Sequence, residues 1–323
     1  MGVTAEYAKK NGEWQEIGSA APPPPPPPPA GIIYGSHIGI AANTSTLISQ
    51  MNSRIVRTYS TGPGPNGPGE SATQTTWNQT SASNTPLSHG ASHTFKPDAA
   101  EFQLGHANYT TIRNRYRGIL AGAPPTQLVW VGVWHEPYDN MVEGGGSQFT
   151  LNQWRNLQIN FKNDVVDYVN ASRGSNPIIM NGCIHGSSWG GDTIGGQLSV
   201  YSLYDANVRA ALDEFSFDSY NSSYWTTINT WMNTYLGGKK WGVWETGYTL
   251  NQTPTNAQVL ARMQNWVEVI YPSMTIQPSY ICWFNSGISN GNGITDGENP
   301  AAMAYWKALC DDSPDPTPAN YFA

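Results

Sequence analysis

The chain is poor in charge: Asp, Glu, Lys and Arg make up 12% of its 323 residues, and the net charge is −7 at pH 7. Lys and Arg form no run, which argues against nucleic acid as a partner, because phosphate binding needs clustered cations. No stretch of 18 apolar residues occurs, so no membrane span is expected. Residues 1–18, MGVTAEYAKKNGEWQEIG, lack the apolar core of a secretory signal. Cysteine is scarce. Cys183, Cys282 and Cys310 are odd in number and far apart, which gives neither a disulfide framework nor a CxxC metal pair. They read as buried free thiols in a chain made in a reducing cytosol and released by a route other than a signal peptide. The six histidines form no HxH or HExxH pair, so a metal-dependent hydrolase finds little support and no cofactor is expected.

Aromatic residues, by contrast, are plentiful. Thirteen Trp and seventeen Tyr give a low-charge chain enough surface to bury a large core. Rings at this density either build that core or stack on the flat apolar faces of sugars, and the count alone leaves both open.

Four segments are expected. Residues 1–21 form a small element of their own, with short strands over Ala5 to Ala8 and Trp14 to Ile17 around a Lys10-Asn11-Gly12-Glu13 turn. Asn-Gly is a strong hairpin signal, and two strands alone are marginal in water, so this piece needs a partner surface. Residues 22–30 hold the unbroken run Pro22 to Pro29. With φ fixed and no N–H to donate, it forms a polyproline II rod about 25 Å long that acts as a stiff spacer. Residues 31–312 form the main domain. Residues 313–323 form a polar, proline-bearing tail that is either disordered or docked elsewhere.

Within the main domain, short apolar runs alternate with helical stretches. The runs are Gly31–Gly35, Ile55–Tyr59, Ala91–Phe95, Leu128–Trp134, Pro177–Asn181, Glu214–Tyr220, Lys240–Glu245 and Ser279–Phe284. The helical candidates include His106–Leu120, Leu151–Asn170, Val200–Leu212, Trp225–Leu236, Thr255–Ile270 and Pro300–Leu309. Leu157, Phe161, Val165, Val166 and Val169 recur at the spacing of one buried helix face. LVWVGVW is apolar on both sides, as in strands covered on both faces. This is the order and size of a (β/α)8 TIM barrel, an α/β fold preceded here by the hairpin and the polyproline linker. Residues 60–90, rich in Gly, Pro, Ser, Thr and Asn, read as a long loop after the second strand.

Active residues in such a barrel sit at the C-terminal ends of the strands. The fourth run ends WHEPYDN and places Glu136 at the rim; the seventh ends WGVWETG and places Glu245 there. Strands four and seven lie across the barrel mouth from each other. Two carboxyl groups about 5–5.5 Å apart, one neutral and one ionised, hydrolyse a glycosidic bond with retention. Trp134, His135 and Pro137 are surroundings that can raise the pKa of Glu136 and fit it as acid/base, with Glu245 as nucleophile. Arg57, His37, Lys96, His185, Trp189 and Asn285 fall at or just past strand ends and are candidates for binding sugar hydroxyls.

The His-Glu-Pro of WHEPYDN, the Glu of WGVWETG and the strand-end FDSY resemble the clan of glycoside hydrolases with the acid/base on strand four and the nucleophile on strand seven. Within that clan the chain is most similar to family 26, which contains mannanases and has a His before the acid/base. ASHTFKPDAAEFQLGHANYTTI resembles the family's third-strand segment, IVRTYS its second strand and SYICWFNSG its eighth; the similarity covers residues 31–310. The resemblance implies that His135 orients the catalytic carboxylates and that Tyr220 donates a hydrogen bond to Glu245. It also implies that Trp283 is the aromatic floor beneath the sugar. Pro-Tyr-Asp after His-Glu departs from the family pattern, so specificity for mannan is not implied.

AEYAKKNGEWQEI followed by a low-complexity linker is similar to the start of minor tail proteins of phages that infect actinobacteria. That likeness implies a virion protein held in the tail by residues 1–21, its barrel presented outside the cell to a host surface glycan. Other tail proteins would be its partners, and bundling of the polyproline segment would give a homo-oligomer. Two functions are compatible with these residues: a two-glutamate glycoside hydrolase that cuts host polysaccharide during adsorption, or a catalytically silent glycan-binding barrel that serves as a receptor-binding protein.

Overall fold

Strands that are apolar on both sides need cover on both faces. In a computed structural model of the chain they obtain it by closing on themselves inside a ring of helices. The structure describes residues 7–10, 13–16, 31–37, 50–60, 89–134, 136–137, 140–144, 146–185, 200–220, 224–248, 254–284 and 299–322, and only the backbone of residues 7–10, 13–16, 37, 144, 185, 201 and 219. The expected polyproline linker, His135, Trp189, Asn285 and the long loop after the second barrel strand lie outside these residues, apart from Ser60 at the start of that loop and His89 and Gly90 at its end.

Strands β1 (Tyr7–Lys10) and β2 (Glu13–Glu16) pair antiparallel, with Lys10 opposite Glu13. The hairpin expected from Asn11-Gly12 therefore forms, with both strands shifted toward the turn. The barrel strands are β3 (Ile33–His37), β4 (Ile55–Tyr59), β5 (Gly90–Phe95), β6 (Val129–Val133), β7 (Ile179–His185), β8 (Glu214–Ser219), β9 (Trp241–Thr246) and β10 (Tyr280–Phe284). Each pairs in parallel with its neighbour in sequence, and β10 pairs with β3 to close the ring. The chain is thus a (β/α)8 barrel, as expected.

Two strand boundaries moved for local reasons. Gly31 has φ 93° and turns the chain, so the first barrel strand begins only at Ile33. The fifth runs through Asn181, Gly182 and Cys183, residues that interrupt the apolar pattern but fit the site. A Cβ on Gly182 would lie 2.6 Å from the Tyr204 ring, so only glycine lets that ring pack there.

Helix starts follow their caps. Thr150 with Gln153, and Thr255 with Gln258, form reciprocal capping boxes that satisfy otherwise orphaned N–H groups. Their helices, Leu151–Phe161 and Asn256–Gln264, each pass into a π-helical turn, Lys162–Val166 and Asn265–Ile270. The stretch expected as one helix over 200–212 is broken, because Asp205 caps a new helix at Ala206–Ala211.

Alternation along the strands sorts the side chains into two layers. Val56, Ala91, Val131, Phe217, Val243, Ile281 and Trp283 face the helices. Ile33, Ile55, Trp130, Ile179, Cys183, Trp244, Tyr280 and Cys282 fill the barrel. The three cysteines are buried and free.

The C-terminal tail closes the bottom of the barrel. Tyr321, on the short helix Pro318–Tyr321, joins the interior cluster and meets Trp130 edge-on at 5.3 Å. Its hydroxyl lies 2.7 Å from Glu214 Oε1, and Trp130 Nε1 donates to Glu214 Oε2 at 3.2 Å. Buried Arg54 ties the approach down through Asp315 at 2.8 Å and the carbonyls of Cys310 and Ser313.

Candidate active site

The opposite, C-terminal end of the barrel gathers the chemistry. A β-bulge decides which way Glu245 points. Phe217 pairs with Val243 but Asp218 pairs with Glu245; on the other side Ile281 pairs with Val243 but Trp283 with Thr246. Trp244 is therefore one residue too many for both neighbouring strands. Strict alternation from Gly242 would turn Glu245 outward toward the helices. The extra residue keeps Trp244 inside, stacked on Tyr280 at 4.2 Å, and turns Glu245 into the mouth as well. Gly242 makes the stack possible, since a Cβ there would lie 2.0 Å from the Tyr280 ring.

Glu245 is 4% exposed and held at both oxygens. Arg57 Nη2 donates to Oε1 at 3.2 Å, and the Tyr220 hydroxyl donates to Oε2 at 2.8 Å. Arg57 comes from the inward face of β4, is fully buried, and is fixed by Thr94 Oγ1 at 2.8 Å and the Thr58 carbonyl at 3.3 Å. Burial works against its charge, but the acidic groups around it, Glu245 first among them, together more than restore it, so the guanidinium stays ionised. Burial, reinforced by Glu245 and Asp218, pushes the Tyr220 phenol well above its ordinary range, so it remains a donor. The pair on Glu245 therefore favours its carboxylate form.

Glu136 enters from the end of β6 on strained backbone. Trp134 and Glu136 have φ of 52° and 48°, a left-handed conformation that costs a non-glycine residue about 1 kcal/mol or more. Two cross-strand bonds hold it: Trp134 N–H to the Phe95 carbonyl at 2.9 Å, and Glu136 N–H to the Cys183 carbonyl at 3.2 Å. Such strain concentrates where a side chain must be aimed. The charges of Glu136 and Glu245 both act on Lys96, Tyr59, Asp218 and Tyr220, so the two glutamates stand near the same group of side chains at the rim.

Asp218 was not singled out from the sequence, although it alternates inward with Glu214, Ser216 and Tyr220 along EFSFDSY. It is fully buried, and Cys183 Sγ donates to its Oδ1 at 3.2 Å. Burial and then repulsion by Glu245 raise its pKa well above the carboxylate range despite Arg57. Burial therefore favours the proton on Asp218, and direct contact with Arg57 favours the negative charge on Glu245.

Trp283 requires a correction. It is fully buried on the helix side of β10, 6.2 Å from Trp266 and 5.8 Å from Trp306, and is no floor to the mouth. Along β10 the inward positions are Tyr280, Cys282 and Phe284. Phe284 meets Tyr220 edge-on at 6.0 Å and is an aromatic at the rim. Lys96 stands just past β5 beside Tyr59 and Trp134. His37 and His185 end β3 and β7 at the same rim, and their side chains are outside the described residues. Among the described residues, no group of three His, Cys, Asp or Glu is placed to hold a metal.

The barrel is similar to solved glycoside hydrolase structures. GH26C from Muricauda sp. MAR_2010_75 aligns with a TM-score of 0.55 at 10% identity, covering 88% of this chain and 89% of that one. The Cellulomonas fimi endo-β-1,4-mannanase double mutant aligns at 0.51 and 13% identity, covering 87% and 71%. A GH30 endoxylanase from Clostridium papyrosolvens C71 aligns at 0.52 and 13%, covering 91% and 75%. At these identities the likeness is one of fold. No protein-family model matches the chain, and no curated protein matches it in sequence.

Proposed function

We propose that the chain is a retaining glycoside hydrolase of a phage tail that cuts host surface or cell-wall polysaccharide during adsorption. The observation that carries the enzymatic part is the holding of Glu245. A bulge turns it into the barrel mouth, a buried arginine and a tyrosine fix both its oxygens, and Glu136 follows β6 at the same rim, where its charge acts on Tyr220. A glutamate bound only for packing needs neither a bulge nor two dedicated donors.

In this reading Glu136 protonates the glycosidic oxygen as the Glu245 carboxylate attacks the anomeric carbon, and the bond to the leaving sugar breaks. Water deprotonated by Glu136 then displaces the glycosyl group from Glu245 with a second inversion, giving net retention. Arg57 and Tyr220 hold the nucleophile ionised and in line. The similarity of the barrel to family 26 and family 30 enzymes supports a glycan substrate.

The tail role rests on residues 1–30. The β1–β2 hairpin is too small to stand alone and would dock on other tail proteins, and the polyproline rod would hold the barrel outward. The test uses the full chain and its Glu136→Ala and Glu245→Ala variants on mannans, arabinans, galactans and actinobacterial cell-wall polysaccharide. New reducing ends from the wild type, lost in both variants, support the hydrolase. Tight binding with no release from any glycan would replace it with the receptor-binding reading.

A further inference from the structure

Lys96 follows the last residue of β5, where the chain leaves the barrel at its catalytic end. Its side chain is half-buried, with Nζ 5.7 Å from the centre of the Tyr59 ring and 5.4 Å from that of Trp134. Aromatic faces stabilise an ammonium but satisfy none of its three N–H donors. Among the described residues, no carboxylate lies within ion-pair distance of Nζ, although both Glu136 and Glu245 act on it at longer range. Burial works against its charge. An ammonium kept at such a place, walled by two rings and turned to the bond-cleaving pair, is built to meet an acceptor that comes from outside the protein.

Charge counting gives the sign of that acceptor. Arg57 is matched by Glu245, and burial favours the neutral form of Asp218. Glu136 and Glu245 act on Lys96 only from beyond contact distance, so its ammonium has no directly paired carboxylate among the described residues. The whole chain carries −7, so its general field does not attract polyanions, and any preference for them must arise locally.

We propose that Lys96 is a specificity-determining residue that receives an anionic group, a uronate carboxylate or a phosphate, on the glycan bound over Glu136 and Glu245. The inference rests on the glycoside hydrolase reading for the place of binding, but not for turnover. A neutral sugar would meet the ammonium only through hydroxyls. An anion would gain a charge-assisted hydrogen bond in a site partly shielded from water.

The test is equilibrium binding of the full chain, by calorimetry, to matched polymers. Galacturonan, mannuronan and glucuronan are each compared with the carboxyl-reduced neutral polymer, and a poly(glycerol phosphate) teichoic acid is compared with its dephosphorylated glycosyl-glycerol units. At least one acidic polymer should bind roughly tenfold or more tightly than its neutral counterpart, as expected for one charged hydrogen bond. The uronate and phosphate arms identify the source of the anion. Lys96→Met should erase that ratio, and Lys96→Arg, which keeps the charge, should retain most of it. The ratio should persist in Glu245→Gln, so a failure of the hydrolase reading leaves this result legible. Equal binding of acidic and neutral polymers, a ratio unchanged in Lys96→Met, or no binding to any acidic polymer overturns the proposal. Loss of the ratio in both Lys96→Met and Lys96→Arg also overturns it, since that outcome reports packing and not charge.

Discussion

Replacing Glu214 by Gln should alter how stability depends on pH. Glu214 opens β8 at the bottom of the barrel and is 4% exposed, between Trp130 and Tyr321. Burial pushes its carboxyl from 4.5 up to about 7, and hydrogen bonds from Tyr321 and Trp130 offset this only in part. Between these two values the folded chain keeps a proton that the unfolded chain has released. The contribution is therefore fully present below the unfolded value and is lost as pH rises through the folded one, after which it is flat. A shift of this size corresponds to about 3 kcal/mol. Gln mimics the neutral acid, with its carbonyl accepting from Trp130 and its amide facing the Tyr321 oxygen, and it has no proton to lose. Urea unfolding of both proteins at about pH 5 and about pH 8 measures the effect. All other titrations are shared, so the wild type should lose about 2.5 kcal/mol relative to the variant on going to the higher pH, most of the full shift. Equal pH dependence in the two proteins would refute the burial argument.

Three further outcomes follow from the geometry. Tyr220→Phe removes one hydrogen bond to a carboxylate, about 1.5–3 kcal/mol, and should lower kcat/KM by roughly 10–100-fold while leaving the melting temperature near that of the wild type. Tyr321→Ala empties the plug beneath the barrel and should destabilise the fold by about 3–5 kcal/mol in denaturant titration, although residue 321 lies almost at the end of the chain. Trp283→Ala should cost a similar amount of stability because the ring is core, whereas Phe284→Ala at the rim should weaken glycan binding in calorimetry with little change in stability.

The barrel was legible because its signals are periodic. Apolar runs recur at the spacing of strand–helix units, and both glutamates fall at run ends, so strand order alone sets them across the mouth. Side-chain direction was less legible wherever the period breaks. The bulge at Trp244 is an insertion relative to two neighbouring strands, and no local residue pattern in WGVWETG announces it. Counting by two from Gly242 would have turned Glu245 outward. For Trp283 the same count, made from Tyr280, gives the right answer: it assigns the inward position to Phe284, against the role implied by resemblance. The strained φ angles of Trp134 and Glu136 arise from bonds to β5 and β7 and have no glycine to mark them. The tail carries too few apolar residues to show a period, and its docking depends on one aromatic, Tyr321, finding Glu214 and Trp130 far back in the chain.

Azide rescue tests the central assignment most directly, using an activated aryl glycoside of whichever sugar the wild type releases. With Glu136→Ala and Glu245→Ala, added azide should restore turnover in both. The first should give a glycosyl azide of retained configuration, because azide replaces water at the Glu245 ester. The second should give the inverted azide, because azide replaces Glu245 itself. The same configuration from both variants, or rescue of neither while the wild type turns over, would contradict the roles assigned to Glu136 and Glu245.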